Sequence, residues 1–286
     1  MGEHEEAIAV FERVLERREA SLGPTHPSVA YTLVNLGNSL LVVGDLSRAR
    51  EAEARAVTIR ESALGSNSPD VALSLNDLAG VVWATGEYAE ARALHERALA
   101  IREKALGPDH PDVAQSLTNV GAALFGLGDH AGSLAMCQRA LSILEKKLPP
   151  DHPDLAYPLL GIGRALVRLN HGDAAFRALD RARELREKTK GGDVSEPLLE
   201  LGVLYLAQRN AKAAVTVLER ALASASPLAG GDIHLALADG LWQTGSDRPR
   251  ARELAEWARA YYERIGHRPG LDRSTRWLTD HPAPHS

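Results

Sequence analysis

The sequence predicts an all-α protein built from a row of antiparallel helix pairs, and three observations lead to this prediction. A short segment recurs every 42 residues, as HPSVA from His26, SPDVA from Ser68, HPDVA from His110 and HPDLA from His152. Each copy continues into apolar residues with helical spacing, and no stretch shows the alternation of a strand. A fixed period of about 20 to 50 residues is typical of stacked units that cannot bury their apolar faces alone.

The first helix of each unit follows the recurring segment. Pro27 suits the first turn of a helix, where its missing N–H leaves no donor without a partner. Leu33, Leu36 and Leu40 fall at i, i+3 and i+7, so they form one buried face. Gly44 is expected to end this helix and turn the chain.

The second helix of each unit carries small residues at fixed places. Ala49 and Ala56 recur as Ala91 and Ala98, and such residues let helices approach closely. Gly65 follows the helix at a position where a left-handed residue is best supplied by glycine. The unit is therefore predicted to be an antiparallel helix pair.

The landmarks also give the order of the copies. A fifth copy begins at Asp193, 39 residues after the matching Asp154, and a degenerate sixth copy follows. Residues 1–22 match a second helix whose first helix is missing, and 23–265 hold about six helix pairs. Residues 266–286 are predicted to form a short capping helix that ends near Trp277 and Leu278, followed by a disordered tail. About 13 or 14 helices are expected.

Composition narrows the classes of partner. The chain has 33 basic and 38 acidic side chains, a formal charge of -5, and 44% hydrophobic residues without a run long enough to span a membrane. There is no electrostatic reason to expect nucleic acid or a membrane surface as partner. The single Cys137 cannot form an internal disulfide, and the first residues lack the pattern of a signal peptide. We expect a cytoplasmic chain, without a cofactor, whose partners are proteins.

The repeat resembles a known family. Its L-x-x-L-G-x-x-L ladder, its G-D turn, its paired alanines and its linker LGPDHPDVA are similar to tetratricopeptide repeats (TPRs) of the 42-residue kinesin light chain type. The resemblance covers roughly residues 1–265. It implies an α-solenoid, a right-handed superhelix whose first helices line a concave groove that binds extended peptides. The segment RARELAEWARAYYERIG is similar to the ends of TPR arms appended to bacterial serine/threonine kinases, and any kinase domain would lie outside this chain.

The resemblance also gives candidate groove residues. Positions two before, and one, five and eight after, Leu33 are expected to face the concave side. The eighth position is apolar in successive copies: Leu41, Trp83, Phe125, Val167, Leu206 and Trp242. Polar candidates are Asn38, Asn76, Gln115, Thr118, Arg164 and Arg168, while Asn35 and Asn119 match the L-x-N-L asparagines of the family.

Two interpretations of these residues remain open. Amide side chains both donate and accept, so they can pair with a peptide backbone, and Trp83 and Phe125 would then form the centre of the binding surface with Asn76 and Asn119 near them. Alternatively, the apolar stripe packs between helices and the amides bond neighbouring turns.

Copies four and five depart from the family pattern. Arg164 and Arg168 lie four residues apart, so they project from nearly the same face of a helix. They could receive an acidic side chain of a ligand, or Glu196 on the next repeat could neutralise them. Gly161 and Glu200 replace the L-x-N-L asparagine here, so backbone recognition is expected in copies one to three.

The recurring histidines do not indicate a metal site. Zinc ligands lie at about 2 Å from one ion. Equivalent residues of successive repeats lie at helix spacings of about 8 to 10 Å or more. His26, His110 and His152 are therefore interpreted as linker residues. No catalytic arrangement of residues appears, so we do not expect an enzyme.

The sequence thus predicts a non-catalytic scaffold that binds a peptide segment of a partner protein in its groove. The alternative is a regulatory or self-associating TPR arm of a larger signalling protein, such as a bacterial serine/threonine kinase. Self-association is expected at the N-terminal edge of the row of helices. The helix there, in residues 1–22, carries Ile8, Val10, Val14 and Leu15. A solenoid end without a polar cap tends to associate.

Overall fold

The computed structural model describes residues 2–189, 191–225 and 230–282. In these residues all regular structure is helical, with fourteen α-helices, one turn of 3-10 helix and no strand. The prediction of an all-α chain with 13 or 14 helices is confirmed. None of the described helices combines the length and apolar character needed to cross a membrane. The α-helices are α1 (Gly2–Leu22), α2 (Pro27–Val43), α3 (Leu46–Leu64), α4 (Pro69–Ala84), α5 (Tyr88–Leu106), α6 (Pro111–Gly126), α7 (His130–Glu145), α8 (Ala156–Arg168), α9 (Gly172–Glu187), α10 (Ser195–Ala207), α11 (Ala211–Ser224), α12 (Gly230–Thr244), α13 (Arg248–Ile265) and α14 (Arg268–Asp280).

The helices form two compact units. Unit 1 comprises residues 1–127 and unit 2 comprises residues 128–286. Within unit 1, α2 pairs with α3 and α4 with α5, and within unit 2, α8 pairs with α9, α10 with α11 and α12 with α13. We call the even-numbered helices from α2 to α12 first helices, and the helices that follow them second helices.

The core has the predicted faces. Leu33, Leu36 and Leu40 of α2 are all buried, and Ala49 and Ala56 of α3 are fully buried. Small residues on the second helix therefore let the leucine face of the first helix approach closely, as the periodicity indicated.

The recurring histidines begin first helices. The Nδ1 of His26 accepts a hydrogen bond from the backbone N–H of Ser28 at 3.1 Å. His110 and His152 make the same bond two residues ahead, at 3.1 and 3.2 Å. These residues are N-caps, and each satisfies a donor of the first turn. Among the described residues, no three His, Cys, Asp or Glu side chains are grouped so that they could hold a metal ion.

A repeated arginine ties unit 1 together. Near the end of α3, Arg60 Nη1 donates to the carbonyl of Asp70 at 3.0 Å and to Ser74 Oγ at 2.7 Å on α4. Arg18 and Arg102 make equivalent pairs of bonds from α1 to α2 and from α5 to α6. In unit 1, α1, α3 and α5 are thereby each fixed to the helix that follows them.

The C-terminal helix is slightly longer than predicted. It was expected to end near Trp277 and Leu278, and α14 ends at Asp280. Trp242 of α12, a candidate in the apolar stripe, packs edge-on against Trp277 with ring centroids 5.7 Å apart. Of the predicted disordered tail, residues 283–286 lie outside the described residues.

Candidate peptide-binding surface

The exposed side of the first helices in unit 1 is the candidate surface. On each helix it is formed by residues two before and two after the first leucine of the ladder, with Asn38 added on α2. These side chains are exposed or half-buried. We call them the unit 1 face: Tyr31, Asn35, Asn38, Leu73, Asp77, Gln115 and Asn119.

Exposed apolar side chains on this face were missed in the sequence. Tyr31 is 62% exposed and Leu73 is 43% exposed. Both stand two residues before the ladder leucine, which is one of the positions expected to face the concave side. The sequence therefore indicated their exposure, but the predicted apolar stripe included only the position eight residues after that leucine. The exposed apolar residues lie at the other end of the helix.

Two of the polar candidates bond neighbouring turns of their own helix. The Nδ2 of Asn35 donates to the carbonyl of Tyr31 at 2.8 Å. The hydroxyl of Thr118 donates to the carbonyl of Ala114 at 2.9 Å. These bonds belong to the second interpretation. The bond to Tyr31 uses one N–H of the Asn35 amide. The second N–H and the carbonyl oxygen remain, and the side chain is only half-buried.

The remaining amides of the face lie near solvent. Asn38 is exposed and Asn119 is half-buried. Gln115 is exposed, and its Oε1 accepts a hydrogen bond from Nη1 of Arg102 at 2.9 Å. That bond orients the Gln115 side chain at the surface.

Asn76 lies in the core instead of on the face. Its Nδ2 donates to Ser116 Oγ at 3.3 Å, and its Oδ1 lies 2.8 Å from Nδ1 of His95. Burial lowers the pKa of His95 to about 4, so the ring is neutral at pH 7 and donates to Asn76. Because its amide is buried and bonded, we remove Asn76 from the candidate surface.

The predicted apolar stripe is half-buried in unit 1. Leu41 packs against the core cluster that includes Leu36 and Leu40. Trp83 packs against the cluster around Leu75, its ring lies 5.9 Å from that of Tyr88, and its indole nitrogen is buried. These contacts agree with the second interpretation, in which the apolar stripe packs between helices. Phe125 is also half-buried.

In unit 2 a different acid neutralises the predicted arginine. The Nε of Arg164 donates to Oε1 of Glu200 at 2.8 Å, and both side chains are largely buried. Burial opposes the charge, but Glu200 still raises the pKa of Arg164. Glu196, the acid that the sequence indicated, also favours the charge of Arg164, and its carboxylate lies 3.7 Å from Arg186. Arg168 is exposed.

The residue at the start of α8 repeats the pattern of Tyr31. Tyr157 is 55% exposed, and the guanidinium of Arg186 lies 4.6 Å above its ring. This exposed aromatic of unit 2 is therefore already covered on one side by a cation. The later stripe residue Val167 is buried.

One carboxyl group of unit 1 is fully buried. Glu53 of α3 has no exposed surface, and neither carboxyl oxygen has a hydrogen-bond partner among the described residues. It packs against Gly37, where a Cβ would collide with it. Burial, and then the charge of Asp77, raise the pKa of Glu53 to about 9. The same repeat position holds, in order, Glu53, His95, Cys137, Leu179 and Leu218.

Comparisons with known proteins agree with this architecture. A family model described as Tetratricopeptide repeat matches residues 1–62, 70–146 and 112–188, and a second model of that description matches 160–229. A putative kinesin light chain from Podosopora anserina with nearly identical TPR-like repeats is 25% identical, with a TM-score of 0.56. The match covers 66% of this chain and 90% of that one.

Two further solved structures share the fold. BtubC (BKLC) from P. vanneervenii is 19% identical, covering 76% of this chain and 89% of that one, with a TM-score of 0.60. A Rap protein complexed with Competence and Sporulation Factor is 15% identical, covering 94% and 79%, with a TM-score of 0.65. A comparison with curated proteins found none that matches this chain.

Proposed function

The chain belongs to the tetratricopeptide repeat family, and we propose on that premise that it is a non-catalytic scaffold that holds an extended peptide segment of a partner protein on the unit 1 face. The observation that carries the proposal is the exposure of Tyr31 and Leu73 beside side-chain amides. Exposed apolar residues in such a row are typical of interaction sites. The amides can donate to and accept from the backbone of a peptide.

The residues of the face have different roles in this proposal. Tyr31 and Leu73 give apolar contact, while Asn35, Asn38 and Asn119 pair with the peptide backbone. An aromatic or apolar anchor at the centre of an interface can contribute about 2 kcal/mol or more.

Other predicted residues support the face from beside or below. Leu41, Trp83 and Phe125 form the half-buried wall at the far end of the first helices, and Thr118 borders Gln115 and Asn119 of the face on α6. Arg164 and Arg168 belong to unit 2, where Glu200 binds Arg164. We therefore do not include the two arginines in the site.

One structural neighbour supports the proposal by analogy. The Rap protein of similar fold was solved in complex with Competence and Sporulation Factor. The same arrangement of helix pairs thus accommodates a bound factor in another protein.

A matched pair of substitutions tests the proposal. A random peptide library is selected on the purified chain, and the affinity of the selected pool is then measured for Leu73→Ser and Leu64→Ser. Leu73 and Leu64 are 43% and 47% exposed, both in unit 1, but only Leu73 lies on the unit 1 face. We expect Leu73→Ser to weaken binding about tenfold or more, since about 1.4 kcal/mol corresponds to a factor of ten. Leu64→Ser should leave the affinity unchanged. Failure to select any peptide, or equal losses in both variants, would contradict the proposal.

Self-association is the second candidate function. Val10 of α1 is 45% exposed, whereas Ile8, Phe11 and Leu15 of the same helix pack against α2 and its neighbours. The exposed side of α1 could contact a second copy of the chain. Light scattering across a concentration series, with Val10→Ser as the comparison, tests it. A mass that stays that of one chain at high concentration would exclude this function.

A further inference from the structure

Glu53 is a buried group that the proposed peptide contacts do not use. Its side chain has no exposed surface, and within the described residues its two carboxyl oxygens have no hydrogen-bond partner. A polar group buried without a hydrogen bond lowers stability, and a buried charge without a counter-charge does so much more. The two oxygens of Glu53 therefore lack a hydrogen-bond donor or a cation in direct contact.

Within the described residues, no side chain around Glu53 donates to its oxygens. On α2 the carboxyl group packs against Gly37, whose missing Cβ leaves room for it. On α4, Asp77, a second acid, is near enough for its charge to act on Glu53. Arg60 on its own helix is near, but Nη1 of that arginine already donates to Ser74 and to the backbone at the start of α4.

The electrostatics of the two acids agree with this geometry. Burial and then Asp77 raise the pKa of Glu53 to about 9, against the opposing charge of Arg60. Burial also raises the pKa of Asp77, against Arg60 and Arg102. At neutral pH Glu53 thus holds a proton, which an arriving cation would displace because a nearby opposite charge favours the ionised form.

Asp77 connects this buried acid to the unit 1 face. It is half-buried and stands one helical turn from the exposed Leu73. The equivalent position is an amide on the neighbouring first helices, Asn35 on α2 and Asn119 on α6. Among these three helices, only α4 has a carboxyl group here, and its charge acts on the buried Glu53.

We infer that Glu53 and Asp77 form a receptor for a basic side chain, arginine or lysine, of the peptide bound on the unit 1 face. This inference rests on the proposed function and specifies the chemistry of its ligand. Asp77 makes the first contact, and Glu53 supplies the second negative charge when its proton leaves to solvent.

The spacing of the receptor also predicts a motif. Leu73 and Asp77 are separated by one turn, about 5 to 6 Å between their Cβ atoms. Alternate side chains of an extended peptide are about 7 Å apart. The basic residue should therefore stand about two positions from an apolar residue that contacts Leu73.

The test uses the full chain and a random heptapeptide library displayed on phage. Selection is performed on the wild-type chain, on Glu53→Gln/Asp77→Asn, and on Glu51→Gln/Asp70→Asn. The last variant also removes two negative charges from α3 and α4, but from exposed positions. We expect the wild-type chain and the exposed control to enrich arginine or lysine at a fixed spacing from an apolar residue. The Glu53/Asp77 variant should still select apolar peptides, but without that basic residue.

A second measurement follows the displaced proton. An acetylated arginine-containing peptide from the selection is titrated from pH 6 to pH 9, where its guanidinium stays charged. The affinity for the wild-type chain should rise about tenfold or more over this range. The affinity for Glu53→Gln/Asp77→Asn should be weaker and flat.

The outcomes separate the inference from the proposed function. Selected peptides that lose affinity on Leu73→Ser but show no basic preference overturn the receptor alone. The same holds if the exposed control variant loses the preference equally, or if affinity does not change with pH. If the wild-type chain selects no peptides, the proposed function fails and the receptor fails with it.

Discussion

Units 1 and 2 are built from the same helix pairs but differ at two repeat positions. Two residues after the first ladder leucine, unit 1 has Asn35, Asp77 and Asn119, whereas unit 2 has Gly161 and Glu200. The unit 1 side chains lie at or near the surface, but Glu200 is buried in an ion pair with its neighbour on α8. The same position therefore places polar side chains at or near the surface in unit 1, whereas in unit 2 Glu200 joins adjacent repeats.

The second difference lies in the core. At the repeat position of Glu53 on the second helices, unit 1 has Glu53 and His95, and unit 2 has Cys137, Leu179 and Leu218, all of them buried. Leu179 and Leu218 fill this position without any need for hydrogen bonds. The fold therefore does not require an acid there, and the proposed basic-peptide receptor would account for Glu53 in unit 1.

The largest expected effect tests the ion pair of unit 2. Glu200→Ala would leave Arg164 largely buried without its main counter-charge, and breaking such a pair typically costs about 3 to 5 kcal/mol. We expect a loss near the lower end of that range, about 3 kcal/mol, because Arg164 keeps some contact with solvent. Urea unfolding followed by circular dichroism measures this loss.

A double variant is the control for Glu200→Ala. Arg164→Met/Glu200→Leu replaces the pair by apolar side chains of similar size, which is often neutral or stabilising. Most of the lost stability should therefore return. If Glu200→Ala changes the free energy of unfolding by less than about 0.5 kcal/mol, a value usual for surface sites, the contrast between the two units is wrong.

The next effect is the pH dependence of unit 1. The pKa of Glu53 rises from 4.5 to about 9 on folding, so its contribution to stability is full below pH 4.5 and is lost as pH rises through about 9. The pKa of His95 falls from 6.5 to about 4, so its contribution is full above pH 6.5 and is lost as pH falls through about 4. At pH 8 a free carboxyl group is ionised, so keeping Glu53 protonated costs the folded state up to about 5 kcal/mol at about 1.4 kcal/mol per pKa unit. Glu53→Gln avoids this cost but buries an amide without a partner, so we expect it to stabilise the protein by about 2 kcal/mol.

Hydrogen exchange locates this pH effect. Exchange in α3 and α4 should speed up between pH 6 and pH 9, after correction for the intrinsic rate, and Glu53→Gln should remove the change. Unit 2 has Cys137 at the same position, where burial raises the pKa of the thiol to about 12, and leucines elsewhere. Hydrogen exchange in α8 to α11 should therefore be the same in the wild-type chain and in Glu53→Gln. An equal effect of Glu53→Gln in both units would contradict the assignment to this residue.

Much of the fold could be predicted from the sequence because the repeat states the same pattern several times. The leucine ladder, the paired alanines and the glycine turns are decided by local periodicity, and Leu33 and Ala49 are buried as expected. The candidate site was harder to predict. Periodicity says which face of a helix is apolar, but it does not say how deeply the adjacent helices cover each residue.

Three residues show what periodicity left undecided. Asn76 was a surface candidate, but it is buried, and its amide bonds His95 and Ser116. Trp83 is half-buried against the core cluster around Leu75, whereas Leu73 near the start of the same helix is exposed. Such differences depend on contacts between repeats, which are distant in sequence.

The smallest effect concerns the arginine that ties second helices to the next first helix. Arg102 Nη1 binds the carbonyl of Asp112 at 2.9 Å and Ser116 Oγ at 3.0 Å, and the equivalent residue in unit 2 is Leu144. Arg102→Leu introduces that natural alternative into unit 1. We expect a loss of about 1 to 2 kcal/mol, because hydrogen bonds to charged groups each contribute about 1.5 to 3 kcal/mol and leucine restores part of the packing. Arg97→Leu, which removes an exposed ion pair from the same helix, should cost less than about 1 kcal/mol. Equal losses for the two variants, measured by urea unfolding, would show that the hydrogen bonds of Arg102 stabilise unit 1 no more than an exposed ion pair does.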